Sequence, residues 1–200
     1  MEINEPAIQY GLFPKMSPSE YLDWERMQEE RHEYISGEVY TVTENMSGAS
    51  FKHTIINSHV LIAIGAFLKD KPCNAFVNDL RIEVKSAESY FYPDITIVCQ
   101  EFEASDKYLD MITNPSVVIE ILSPSTARKD MGKKKFFYMQ IPSLQEYIMI
   151  DSQSISVETI KRRNDGTWEN QLTLDINDSL FISTINFTIP LKEIYSNVNF

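Results

Sequence analysis

The apolar positions of this chain repeat with two periods, about 3.6 residues and two residues, and each period marks a different kind of element. Ser17-Pro18-Ser19-Glu20 supplies an N-cap, a proline at the first helical position and a glutamate at the third. Tyr21, Leu22, Trp24 and Met27 follow, predicting an amphipathic helix to about residue 30. Ile55, Ile56, His59, Val60, Ile62, Ala63, Ala66 and Phe67 predict a longer helix over 50–69, ended by Lys71-Pro72. A third helix is expected over 128–140, and a short terminal one over 191–195 after Pro190. The period of two, with β-branched and aromatic residues, predicts a hairpin over 34–42 around Ser36-Gly37. Further strands are expected at 74–78, 80–85, 91–98, 117–122 and 145–150, and as a hairpin of 155–161 with 168–174. This order lacks regular strand-helix alternation, so the predicted class is α/β of the mixed, α+β kind: a central mixed sheet flanked by helices. One domain over 17–200, preceded by a loose arm at 1–16, is the expected organisation.

Two strands break the pattern. Tyr92-Pro93-Asp94-Ile95-Thr96-Ile97-Val98 and Val117-Val118-Ile119-Glu120-Ile121-Leu122-Ser123-Pro124 are nearly continuous apolar runs, and each holds one carboxylate. A carboxylate in a core strand is costly to desolvate unless a positive group meets it. Two in neighbouring strands would repel unless a cation sat between them, so Asp94 and Glu120 read as ligands of a divalent metal. The main-chain carbonyl of Ile121 would complete a set of hard oxygen donors suited to Mg2+ or Mn2+.

Charge and composition narrow the classes. The chain has 200 residues, 18 basic and 29 acidic, for a formal charge of −11. That argues against a general nucleic-acid coat but not against a local basic cleft. Neither GxGxxG nor GxxxxGK[ST] is present. Cys73 and Cys99 are too few for a disulfide framework; Cys99 reads as a small buried hydrophobe, and the chain as a reduced, cytoplasmic protein. No basic-then-apolar leader is visible at the start of the sequence, and no apolar run is expected to reach membrane-span length, so no membrane partner is expected.

Lys133-Lys134-Lys135 on the third helix point in three directions, so one or two can face a cleft, and Tyr138 shares the face of Lys134. One such lysine could offset charge on a phosphorus centre. His53 and His59, six apart, lie on different helix faces and cannot form a two-histidine zinc clamp. His59 reads as a core residue and His32 as surface or hairpin packing.

Taken together, Pro93-Asp94, Glu120 in Val-Val-Ile-Glu-Ile-Leu-Ser-Pro-Ser-Thr, Asp130, Lys134, Tyr138 and Glu146–Asp151 resemble the PD-(D/E)XK nuclease superfamily. More narrowly they look like a bacterial family of restriction-endonuclease-like domains with a Glu-x-x-Ser-Pro-Ser-Thr signature, whose opening motif Arg31–Glu38 also resembles. The resemblance implies a restriction-endonuclease-like sheet and metal-dependent phosphodiester hydrolysis of nucleic acid, DNA first. It carries Asp94 and Glu120 over as ligands, Glu33 as a third acidic residue and His53 as a site histidine. Position 122, where the superfamily has its lysine, is Leu, and Lys134 on the following helix is the candidate replacement. The alternative is a catalytically degenerate fold retained for nucleic-acid binding or assembly. A homodimer is expected, with the 155–174 hairpin and the tail ending in Phe200 as its contact surface.

Overall fold

The structure, a computed structural model, describes residues 13–42, 51–77, 79–104, 109–124 and 127–200, with the backbone alone at Arg128. Most of the expected N-terminal arm lies outside the described residues, as do Ser125 and Thr126 of the Ser-Pro-Ser-Thr turn. The class is mixed α/β, with helices packed on two mixed sheets.

Helix α1 (Pro18–Glu25) carries the expected capping box: Ser17 accepts from the Glu20 N–H, and Glu20 accepts from the Ser17 N–H. It stops short of residue 30 because the Arg26 and Met27 N–H groups turn back onto Leu22 and Trp24. Strands β1 (His32–Ile35) and β2 (Glu38–Thr41) form the predicted hairpin. Ser36 (φ 47°) and Gly37 (φ 97°) are both left-handed, as a two-residue turn matched to strand twist requires. Helix α2 (Phe51–Leu68) follows, then β3 (Asn74–Val77), β4 (Arg81–Val84), β5 (Ser89–Phe91) and β6 (Ile95–Val98). The single strand expected over 91–98 is therefore two strands. They belong to different sheets, and Tyr92-Pro93-Asp94 is the crossover between them.

Strand β7 (Met111–Ile112) was not expected; it pairs parallel to β4. Strand β8 (Val117–Leu122) matches its prediction. The helical segment after it is continuous but irregular: α3 (Ala127–Lys129), a π-helix over Asp130–Lys134, and α4 (Lys135–Tyr138). Strands β9 (Glu146–Asp151), β10 (Val157–Arg162) and β11 (Trp168–Thr173) continue the larger sheet. A further hairpin that the sequence pattern does not predict, β12 (Ser179–Ile182) with β13 (Phe187–Pro190), precedes α5 (Leu191–Ile194). Its strands are short, and polar residues separate them, which hides their period of two.

The larger sheet has the order β11-β10-β9-β8-β6-β3, and the smaller β2-β1-β5-β4-β7. Strand β8 sits inside the larger sheet between β6 and the parallel β9, which explains its continuous apolar run. Its side chains still alternate. Val117, Ile119 and Ile121 join Ile56, Val60 and Ile64 of α2 in one core cluster. Val118 and Leu122 join Ile35, Ile82, Phe91 and Tyr138 in a second, between the two sheets. Glu120 shares the face of Val118 and Leu122, so it enters the layer between the sheets.

Two expectations are corrected. Cys73 and Cys99 are bonded as a disulfide, not free. The β3–β6 register pairs Asn74 with Val98, so the next residues outward, Cys73 and Cys99, stand directly opposite one another. Helix α2 spans 18 residues with mean hydropathy 1.3, so one helix does reach span length and apolarity. It packs as a core helix, with His53, Ile56, Val60, Ile64 and Leu68 buried against the sheet.

Candidate active site

The crossover at residues 92–94 organises the site. The Tyr92 N–H donates to Glu33 Oε1 at 3.3 Å, and the Asp94 N–H donates to Glu120 Oε2 at 3.4 Å. Pro93 between them has no N–H, so no donor is left without a partner at the bend. One tripeptide thus touches a carboxylate from each sheet: Glu33 on β1 and Glu120 on β8. Extending the β6–β8 register from Ile95↔Ile119 by one step places Asp94 opposite Glu120. Asp94 is further held by the Ile121 N–H, 2.7 Å from its Oδ2, and by His53 Nε2, 3.3 Å from its Oδ1.

Lys134 enters this cluster from the π-helix. Its Nζ lies 2.9 Å from Glu33 Oε1, 3.0 Å from Glu120 Oε1 and 3.2 Å from Asp130 Oδ1. The second oxygen of Glu33 is held by Lys129. Lys129 and Lys134 are five residues apart, the spacing that an i→i+5 helix stacks on one side, and the Lys135 N–H indeed bonds the Asp130 carbonyl. A regular α-helix would turn the two ammonium groups apart; the π winding lets both reach one carboxylate. Tyr138, one turn beyond Lys134, donates to Glu120 Oε1 at 3.2 Å. The Tyr147 hydroxyl donates to the Asp130 carbonyl at 3.1 Å and so ties the π-helix to β9.

Burial makes these contacts strong and their imbalance costly. Glu33, Glu120, Asp130 and Lys134 are each no more than 5% exposed. Four carboxylates, counting Asp94, face two lysines. Burial pushes the Glu120 carboxyl well above the usual range; Lys134 pulls it back only in part, while Asp130, Asp94 and Glu33 push it further up. For Glu33 burial acts upward too, but Lys129 and Lys134 outweigh it and hold the carboxyl below its ordinary value. Burial alone would lower Lys134; Asp130, Glu120 and Glu33 together raise it, so it stays an ammonium. Tyr138 and Tyr147, raised chiefly by burial, stay protonated and donate.

The structure therefore brings Glu33, Asp94, Glu120, Lys134 and His53 together. Leu122, in the superfamily's lysine position, is packed in the apolar cluster between the sheets, and Lys134 reaches Glu120 from the helix instead. Lys133 is exposed, and Lys135 pairs with Glu158 away from the cluster. Of the two readings of His32, surface or hairpin packing, the structure shows the packed one: it is buried on hairpin strand β1. Its Nδ1 lies 3.0 Å from Glu25 Oε2, and the Tyr92 hydroxyl also donates to Glu25, at 3.0 Å. This braces the crossover from the α1 side, a link between distant segments that no local pattern signals. His59 is half-buried, with Nδ1 3.1 Å from the Ile194 carbonyl, apart from the site.

The donor set fits a hard divalent cation. Asp94 and Glu120 offer oxygens from adjacent strand positions, and the site carries surplus negative charge. No cage of three or more His, Cys, Asp or Glu groups is preformed among the described residues. The cation would need only these two carboxylates, a main-chain carbonyl and water, a coordination Mg2+ accepts.

Known proteins share this arrangement of elements. Residues 18–192 match the model of the Uma2 family, described as "Putative restriction endonuclease". The chain belongs to the Uma2 family. It is 33% identical over 188 residues to the uncharacterised protein slr1290 of Synechocystis sp., covering 94% of this chain and 95% of that one. A second uncharacterised Synechocystis protein, sll1609, is 34% identical over 153 residues, covering 76% of this chain and 84% of its own. The crystal structure of an Anabaena variabilis protein, described as a putative nuclease belonging to DUF820, superposes with a TM-score of 0.75. It covers 90% of this chain and 98% of its own at 19% identity, a likeness of fold.

Proposed function

We propose that this Uma2-family chain is a divalent-metal-dependent nuclease that hydrolyses phosphodiester bonds of nucleic acid, DNA first. The observation that carries the reading is Lys134: a lysine absent from the strand reaches Glu120 from a neighbouring helix, beside Asp94. In this reading Asp94, Glu120 and the carbonyl of Ile121 hold Mg2+ or Mn2+. When bound, such a cation polarises the phosphate and makes a nearby water more acidic. Lys134 offsets negative charge on the phosphate oxygens. Glu33 and Asp130 fix the ammonium of Lys134 in position, and Tyr138 fixes the rotamer of Glu120. His53 orients Asp94 through Oδ1, 3.3 Å from its Nε2.

The test is supercoiled plasmid and single-stranded DNA incubated with Mg2+ or Mn2+ and the wild type, Asp94→Ala or Glu120→Ala. Nicking by the wild type alone supports the reading. Equal cleavage by all three would mean a contaminant and would sink it.

A second reading is favoured by one observation: all four oxygens of Asp94 and Glu120 already lie against protein groups. A lysine locked among three carboxylates could hold together a fold that only binds nucleic acid. Titration calorimetry separates the two. Metal binding lost in Glu120→Ala belongs to the nuclease, and no binding at millimolar metal belongs to the binding module. A homodimer is part of the proposal, supported by the exposed Leu172 on edge strand β11 and by exposed Leu174 and Phe200. Sedimentation as a monomer at micromolar concentration would remove it.

A further inference from the structure

A chain of formal charge −11 can hold a polyanion only through a local positive strip. The basic residues around the site do not all serve. Arg81 is buried and bound to Asp110, and Lys135 pairs with Glu158. Lys133 remains exposed, one turn from Lys129, which is itself bound to Glu33, on the segment that also carries Lys134. Both ammonium groups lie over the ring of Tyr40, at 5.3 and 5.5 Å from its centroid. Tyr40 stands on β2, the edge strand of the smaller sheet. Its hydroxyl donates to Glu38, which fixes the ring's orientation.

The three residues differ in what they touch. Lys129 is partly exposed and reaches inward to Glu33, so the strip is continuous with the buried cluster. Lys133 is exposed and forms no ion pair with any described residue. The ring gathers two cations that would otherwise repel, because its negative face attracts both. The ring is itself anchored by packing against the apolar cluster between the sheets, so the two ammonium groups are held in place.

We infer that Tyr40, Lys129 and Lys133 form the backbone-docking strip of the site, taking the phosphates of a nucleic-acid strand beside Glu33 and Lys134. The inference rests on the nuclease reading and specifies where its substrate lies. Lys133 supplies a phosphate contact, Tyr40 holds both ammonium groups in position, and Lys129 links the strip to the interior.

The test is fluorescence anisotropy of the full chain with labelled duplex DNA and the matching single strand, in chelator so that nothing is cleaved. Lys133→Gln and Tyr40→Ala are compared with Lys161→Gln, an exposed lysine on β10, and thermal melts check that each variant is folded. Lys133→Gln should weaken binding about 3- to 10-fold and reduce the slope of log K against log salt by about one for duplex. Tyr40→Ala should weaken it similarly, Tyr40→Phe should restore it, and Lys161→Gln should match the wild type. If the wild type binds and Lys133→Gln and Tyr40→Ala bind equally well, the strip is refuted and the nuclease reading stands. If the wild type binds neither DNA, both fall.

Discussion

Replacing Lys134 by Met keeps most of the side chain's apolar stem and removes its charge. In the native protein that charge sits 2.9, 3.0 and 3.2 Å from three carboxylate oxygens, with every partner nearly fully buried. Removing one partner of a buried ion cluster typically costs about 3–5 kcal/mol, because the others stay desolvated without compensation. Lys129 still holds Glu33, and Glu120 can relieve itself by taking a proton, so the middle of that range is expected. With a urea slope of about 2 kcal/mol per molar, the unfolding midpoint at pH 7 should fall by about 2 M. The loss must depend on pH. Glu120 binds a proton more tightly folded than unfolded, so its ionisation removes stability as pH rises above its ordinary value of 4.5. Glu33, held low by its lysines, adds stability above 4.5 that falls away with acid, and the variant forfeits part of it. Losing Lys134 raises both carboxyls, so the deficit is smaller in acid below pH 4.5 than at pH 7. A loss below about 1 kcal/mol at pH 7, or one that does not shrink in acid, would show that Lys134 is solvated rather than held among the carboxylates.

Adding Leu122→Lys to Lys134→Met puts a lysine on the strand face that carries Glu120, and should recover at least about 1 kcal/mol of the urea stability; a further loss would mean the position cannot reach the carboxylates. Glu146 accepts from the N–H and hydroxyl of both Ser183 and Thr184, so Glu146→Ala should cost about 3 kcal/mol by thermal melting while metal binding in calorimetry is unchanged. Reduction of Cys73–Cys99, which closes a segment of 26 residues, should lower stability by about 3 kcal/mol, and intact-mass analysis of the alkylated native chain should show no added label.

Much of the site could be read from the residues because its strands are buried on both faces. Continuous runs around Asp94 and Glu120 made a carboxylate in each conspicuous, and neither desolvation nor repulsion depends on knowing the fold. Glu33, His53 and Lys134 came instead through the resemblance, since a buried glutamate in a hairpin such as Arg31–Glu38 looks like any exposed one. The break of 91–98 into two strands was hidden by its unbroken apolar character: both halves are buried, but in different sheets. Pro93 marked the bend without showing that it changes sheets. The π-helix was invisible because Asp130–Lys134 reads as ordinary helix in propensity; the winding follows from two lysines meeting one carboxylate brought from β1. The pairing of Cys73 with Cys99 likewise needed the β3–β6 register, which no local pattern supplies.

Crystals of the wild-type chain soaked in Mn2+ and measured at the manganese absorption edge would show whether Asp94 and Glu120 hold a cation. An anomalous peak is expected at Asp94 and Glu120, with carboxylate oxygens at about 2.1 Å and the Lys134 ammonium beside it. No peak there at saturating Mn2+, with Lys134 still joined to Glu33, Glu120 and Asp130, would contradict cation binding at these carboxylates.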